Sequence, residues 1–274
     1  MTRLLVVGAH LDDAVLSCGR LLAATPGAVV CTVFAGRPTP TDIRPGATEW
    51  DAMCGFAPAD DVLAARCAED DTALSLLGAR PVRLDFVDAQ YAPARPVADI
   101  AAALAHVVGS VTPEQVLVPL GLFHRDHRWT AAAWLRLLTS GSVARDRDPR
   151  PPAVRDGEPT DRPVPTRWAV YADTPYRAWA PVRQRVSALA RLGVRLGPPV
   201  RTHDRDVGSA AAARRTAALA AYTSQRRGLQ TLTARAEAAA AAQHDPDMTA
   251  DPVDRMDADV VRAVRAAGTT TRLP

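Results

Sequence analysis

Two short clusters bring together side chains able to do chemistry. His10-Leu11-Asp12-Asp13 puts an imidazole beside two adjacent carboxylates, and His124-Arg125-Asp126-His127 puts two imidazoles around a third. Imidazole and carboxylate are preferred zinc ligands, and a catalytic zinc site keeps one position open for water. The same residue types serve as general bases and as hydrogen-bond donors to a developing oxyanion. Asp12 and Asp13, as neighbours, point apart, so one can bind a metal while the other faces its water. Of His124 and His127, three residues apart, one can bind and the other stay free.

Each cluster follows an apolar run, Leu4 to Val7 and Gln115 to Leu120, and each precedes a helical pattern, Val15 to Ala24 and Trp129 to Leu138. Further strands are expected at Ala28 to Phe34, Pro81 to Phe86 and Arg167 to Ala172. Helices are expected at Val62 to Leu77, between a capping Asp60 or Asp61 and Gly78, and at Val97 to Val108. Alternating strands and helices imply a parallel sheet with right-handed crossovers. In a doubly wound order of 3-2-1-4-5, strands 1 and 4 are neighbours, so both clusters leave the same sheet edge at the switch point. The expected fold is therefore α/β, Rossmann-like and three-layered, with a mostly parallel sheet. Capping of two helix N-termini is the competing explanation for the carboxylates.

The later chain reads as helix over Tyr176 to Leu192, a short edge strand at Pro199 to His203, helix over Ala210 to Leu232 and Thr233 to Ala242, and a last helix at Ala258 to Ala267. The irregular stretch Ala35 to Pro58, with Trp50 and Asp51, is expected to cover the site, because loops of that length are usually functional. Residues 1–274 read as one domain with a flexible Arg/Asp/Pro-rich insertion at 145–165. Arg66 precedes Glu69 and Asp70 by three and four residues, the spacing of a surface ion pair. His106 reads as a packed or surface residue.

The composition sets limits. All 33 basic residues are Arg, and a net charge of +3 without a basic stripe argues against a nucleic-acid partner. No apolar run approaches membrane-spanning length. The four cysteines form no C-x-x-C pair and the apolar start is too short for a signal peptide, so a reduced, cytoplasmic protein is expected. Gly8 and Gly19 do not make a dinucleotide fingerprint, and no P-loop occurs. The oligomeric state is not encoded in any recognisable feature.

Ala9-His10-Leu11-Asp12-Asp13 together with His124-Arg125-Asp126-His127 resembles the two signatures, A-H-P-D-D-E and H-x-D-H, of the LmbE-like or PIG-L family of zinc-dependent amide hydrolases. The resemblance covers Met1 to about Leu138, with Tyr222-Thr223-Ser224-Gln225 similar to a family segment further on. It implies that His10, Asp13 and His127 bind Zn2+ or another divalent metal, and that Asp12 is the general base. It implies that His124 stabilises the oxyanion or protonates the leaving amine, with Asp126 orienting it. Arg66 and Asp88 match positions that contact sugar hydroxyls. The implied activity is removal of an N-acetyl group from an amino sugar, a small-molecule substrate. The alternatives are an amidase of a larger conjugate, or a non-catalytic binding protein on the same fold. Leu11 and Ala14 replace the family Pro and Glu, and Leu122 stands where some members carry a tyrosine.

Overall fold

The computed structural model describes residues 3–92, 96–140, 166–178, 180–198, 200–202, 204–242 and 259–266. The insertion expected at 145–165 lies outside them. Five parallel strands, β1 (Leu4–Gly8), β2 (Val29–Thr32), β3 (Arg80–Arg83), β4 (Gln115–Pro119) and β5 (Arg167–Tyr171), lie in the order β3-β2-β1-β4-β5. The expected winding is therefore present, and β1 and β4 are hydrogen-bonded neighbours with Leu5 opposite Val116.

β1 is apolar without alternation because both of its faces are covered. Leu5 and Val7 pack with Ile100 and Leu104 of α4 (Val97–Val111) and Trp134 and Leu137 of α5 (Arg125–Ser140). Leu4 and Val6 pack on the other face with Leu22 of α1 (Asp13–Ala24), Leu74 and Leu77 of α3 (Val62–Leu77) and Ala218 of α7 (Asp204–Ala221). Burial of such a side chain contributes about 2 kcal/mol, so the strand is fixed from both sides. A short α2 (Glu49–Cys54) interrupts the 35–58 stretch.

The boundaries of α3 follow its ends. Asp61 caps it by accepting from the Ala64 N–H at 3.1 Å, and Gly78 closes it in the left-handed region at φ 67°. Its polar residues do not pair with each other as their spacing suggests. Arg66 turns to Asp51, Glu69 reaches the start of α8 (Thr223–Ala242), and Asp70 meets Arg83 and Tyr222. Glu69 accepts from the Ser224 N–H at 2.8 Å and from both neighbouring hydroxyls. A carboxylate brought from another helix thus caps α8. This contact and the buried Tyr222 explain why the helix expected over 210–232 breaks into α7 and α8.

Two other expectations change. Tyr176–Ala178 is a single 3-10 turn separated from α6 (Val182–Arg191) by Pro181, which has no N–H to continue a helix. The last helix expected at 258–267 is a strand, β8 (Asp259–Ala266), antiparallel to β5, with Ala169 opposite Ala263. Val260, Val261 and Val264 favour extended backbone, and the open edge of β5 supplies a partner. β6 (Val194–Leu196) and β7 (Val200–Thr202) pair with β8 in turn.

Candidate active site

The carboxyl ends of the parallel strands deliver the polar residues to one place. β1 leads to His10, Asp12 and Asp13, the segment after β3 to Asp88, β4 to His124, Asp126 and His127, and β5 to Asp173 and Tyr176. The two His/Asp clusters, more than a hundred residues apart, meet: the ring centroids of His10 and His127 are 5.3 Å apart, and those of His10 and His124 are 5.1 Å apart.

Capping does not account for the first cluster. Asp12 stands at the N-terminus of α1, yet its side chain makes no capping bond; its carbonyl holds the first turn instead. Asp13 Oδ2 accepts from the His10 N–H at 2.7 Å and lies 3.5 Å from His10 Nδ1 and 3.2 Å from His127 Nε2. Zinc with bonds of ~2.0–2.1 Å sets neighbouring tetrahedral ligands about 3.3 Å apart, so these separations suit one ion. His127 Nε2 is buried without a hydrogen-bond partner, an orphan that a metal would satisfy. Two overlapping donor sets have metal-binding spacing, His10-Asp13-His127 and His10-His124-Asp126. In the second, Asp126 Oδ2 is already engaged by the Ala89 N–H at 3.1 Å and by His10 Nε2 at 3.0 Å, and His124 Nδ1 accepts from the Asp126 N–H at 3.3 Å. The first set fits better.

Both histidines of that set are backed by a buried carboxylate, the arrangement that fixes tautomer and ring orientation in metal sites. Asp126 holds His10 through Nε2, and Asp173 holds His127 through Nδ1 at 2.5 Å. The Asp126 carboxylate is 4.0 Å from His124 Nδ1 and does not orient that ring; its backbone N–H does. Asp173 belongs to neither sequence cluster. It stands two residues past β5, on the sheet edge that carries both clusters, and that position was the available signal.

The charges follow from these contacts. Burial raises the Asp12 pKa to about 7, helped by the charge of Asp13 and opposed by His10. Burial would do the same to Asp13, but His127 and His10 outweigh it and hold Asp13 far below the carboxylate range. Burial alone would lower His127; Asp13 and Asp173 reverse this and lift it to about 9. His10 is raised in the same way, its bonds to Asp126 and Asp13 and the charge of Asp88 overcoming burial. His124 is lowered to about 4 by burial and by the charge of His10.

The turn that presents His124 is held by three side chains. Arg185 Nε donates to the Leu120 carbonyl at 3.0 Å, Asp173 Oδ2 accepts from the Gly121 and Leu122 N–H groups, and Arg128 donates to the Phe123 carbonyl through Nε at 3.1 Å and Nη2 at 2.6 Å. Gly121, at φ 82°, has no room for a side chain: a Cβ there would sit 2.5 Å from that of Ala131. Phe123 follows with φ 54°.

A cleft opens over these groups. His10, Asp12, Asp13, Asp88 and His124 line its polar part, and Trp50, Leu63, Leu229 and Leu232 line an apolar wall. The 35–58 stretch does cover the site, through Pro38, Pro45 and Trp50. Asp51, fully buried, anchors it by accepting from Arg66 Nη2 at 2.9 Å, from the Tyr91 hydroxyl and from the Gly46 N–H. Arg66 is thus mainly a loop anchor, although it also borders the cleft. Asp88 lies at the cleft 3.8 Å from His10 Nε2 and accepts from the Gln90 backbone and side-chain N–H groups. His106 is exposed and away from the site.

The family assignment agrees with this geometry. Residues 5–138 match the family model of the GlcNAc-PI de-N-acetylases, PIG-L. Residues 5–138 belong to the PIG-L family. That segment contributes His10, Asp12, Asp13, Arg66, Asp88, His124, Asp126 and His127, while Asp173 and Tyr176 come from beyond it. No curated protein matches the chain significantly. Among solved structures, the A40926 pseudoaglycone deacetylase Dbv21 aligns over 98% of this chain and 99% of its own, with TM-score 0.66 and 24% identity. The zinc-inhibited form of the teicoplanin deacetylase Orf2 aligns over 98% and 100%, with TM-score 0.67 and 21% identity. The N,N'-diacetylchitobiose deacetylase from Pyrococcus horikoshii aligns over 82% and 70%, with TM-score 0.50 and 15% identity. These likenesses establish that the PIG-L segment and the C-terminal elements together adopt a fold shared with those proteins.

Proposed function

We propose that the protein is a metal-dependent N-deacetylase that removes an acetyl group from an amino sugar, the sugar forming part of a glycoside. The observation that carries this reading is the buried triangle of His10, Asp13 and His127, with His127 Nε2 orphaned beside Asp13. The PIG-L match and the deacetylase activity of the structural neighbours support it.

His10, Asp13 and His127 would hold the ion, with Asp126 and Asp173 keeping the two rings in place. A divalent ion there, zinc in the first instance, acidifies water and polarises the amide carbonyl. Asp12 is buried at the cleft, and its pKa near 7 suits a group that takes a proton and later returns it. It accepts the proton as water attacks the amide carbon and gives it to the departing nitrogen. His124 is neutral at pH 7 and accepts at Nδ1, so its own proton resides on Nε2. It therefore serves as a hydrogen-bond donor to the oxyanion, which narrows its role from the two implied by the sequence. Asp88 accepts from a sugar hydroxyl, and Arg66 shapes the cleft by holding the 44–56 segment.

The test is amine release from a panel of N-acetylglucosamine derivatives, with protein stripped of metal and then reconstituted with zinc. Release that appears with zinc and disappears with a chelator is the expected result. Zinc binding at one equivalent without release from any derivative would favour a binding protein, and release only from larger amides would favour the amidase alternative.

A further inference from the structure

Phe123 is the residue immediately before His124, and its conformation is costly. It is one of two non-glycine residues with positive φ among the described residues, in a region where an aromatic side chain is disfavoured. Arg128 grips its carbonyl with two hydrogen bonds, and the preceding chain is tied to Asp173 through the Gly121 and Leu122 N–H groups and to Arg185 through the Leu120 carbonyl. Strain that the surroundings over-determine in this way clusters at ligand sites. Its result here is an aromatic ring 57% exposed at the mouth of the cleft. That ring stacks on Tyr176 at 5.4 Å and 17°, and Tyr176 in turn is nearly parallel to His124 at 6.4 Å and 21°. A core residue would not be displayed so, and Gly or Asn would make the same turn with less strain.

We infer that Phe123, backed by Tyr176, is a stacking platform for an aromatic aglycone joined to the amino sugar, and that it determines which glycosides the site accepts. The inference rests on the deacetylase reading of the cleft. The acetamido group would lie over Asp12, Asp13 and His124, so whatever the sugar carries extends to the mouth. There it meets Phe123 on one side and the apolar wall of Trp50, Leu229 and Leu232 within the same cleft. Flat rings gain from offset or edge contact with such a platform beyond the area they bury. A methyl aglycone gains little.

The experiment compares kcat/KM for the 4-nitrophenyl and methyl glycosides of N-acetylglucosamine in the zinc-loaded protein. The wild type is expected to prefer the aryl glycoside, Phe123→Ala to lose about three- to tenfold of that preference, and Phe123→Trp to retain it. Zinc affinity and thermal melting show that the variants are folded, and Phe123→Gly, which relieves the backbone strain, provides a second variant lacking the ring. An unchanged aryl-to-methyl ratio in both the Ala and Gly variants, or a wild type without aryl preference, overturns the platform. If the wild type hydrolyses neither glycoside, the deacetylase reading of these substrates fails, and the platform is read from calorimetric binding of the 4-nitrophenyl glycoside. Weaker binding by three- to tenfold in Phe123→Ala then supports it; equal binding, or none in the wild type, ends it.

Discussion

Replacing Asp173 by Asn should loosen the metal without removing any ligand. The carboxylate is fully buried, and its two oxygens do different things: Oδ1 accepts from His127 Nδ1 at 2.5 Å, and Oδ2 accepts from the Gly121 and Leu122 N–H groups at 3.0 and 3.3 Å. An amide has the same shape but only one accepting end. If its oxygen stays on His127, its NH2 faces two backbone donors. If its oxygen stays on the backbone, its NH2 faces Nδ1 and forces the His127 proton onto Nε2, the atom left for the metal. A hydrogen bond to a charged group is worth ~1.5–3 kcal/mol, and losses behind a ligating histidine are typically ~10–100-fold in metal affinity. The zinc Kd of Asp173→Asn is therefore expected to rise 10- to 100-fold, about 1.4–2.7 kcal/mol. Competition against a chromophoric chelator measures it, with circular dichroism to confirm an unchanged fold. A folded Asn variant whose zinc Kd stays within twofold of the wild type would refute the idea that Asp173 secures His127 for a metal.

Asp12→Ala should bind zinc as the wild type does and lose at least a hundredfold in turnover; stoichiometry by metal analysis beside amine release checks both, and an active variant removes Asp12 from the role of base. Zinc uptake at pH 7 should expel about two protons, because His127, with a pKa near 9, and His10, raised well above its ordinary value, must both be stripped before they can bind. Calorimetry in buffers of different ionisation enthalpy counts those protons, and a count near zero would refute the reasoning. The sign of the accompanying stability effect is fixed: His127 is raised above its unfolded value, so its contribution to the metal-free protein is full below about pH 6.5 and is lost as pH rises through about 9. Melting temperatures of the metal-free protein at pH 7 and 9.5 should therefore diverge, and zinc should narrow the gap. Glu69→Ala removes the cap of α8 and should cost ~1–2 kcal/mol, seen as a fall of a few degrees in the melting temperature.

The sheet order was legible because buried parallel strands leave continuous apolar runs, as Leu4 to Val7 shows, and because β1 and β4 each end in the polar residues that matter. The ends of α3 were legible because Asp61 and Gly78 act locally. What was not legible depended on partners distant in sequence. Arg66, Glu69 and Asp70 have the spacing of a surface pair, and only the folded chain shows that each faces a different segment. β8 became a strand because β5 offered it an edge, and Asp126 turned to His10 because the meeting of β1 and β4 brought that ring closer than its neighbour His124.

Helix α3 ties together the two segments that build the apolar wall of the cleft. Its Arg66 grips the 44–56 segment that carries Trp50, while Glu69 and Asp70 grip the beginning of the helix that carries Leu229 and Leu232. The two segments also touch directly, Cys54 Sγ lying 3.8 Å from Gln225 Oε1, so the wall is held as one unit. Glu69 and Arg83 do not line the cavity, yet loosening their attachments should shift this wall and alter what the cleft holds, without touching the His/Asp cluster.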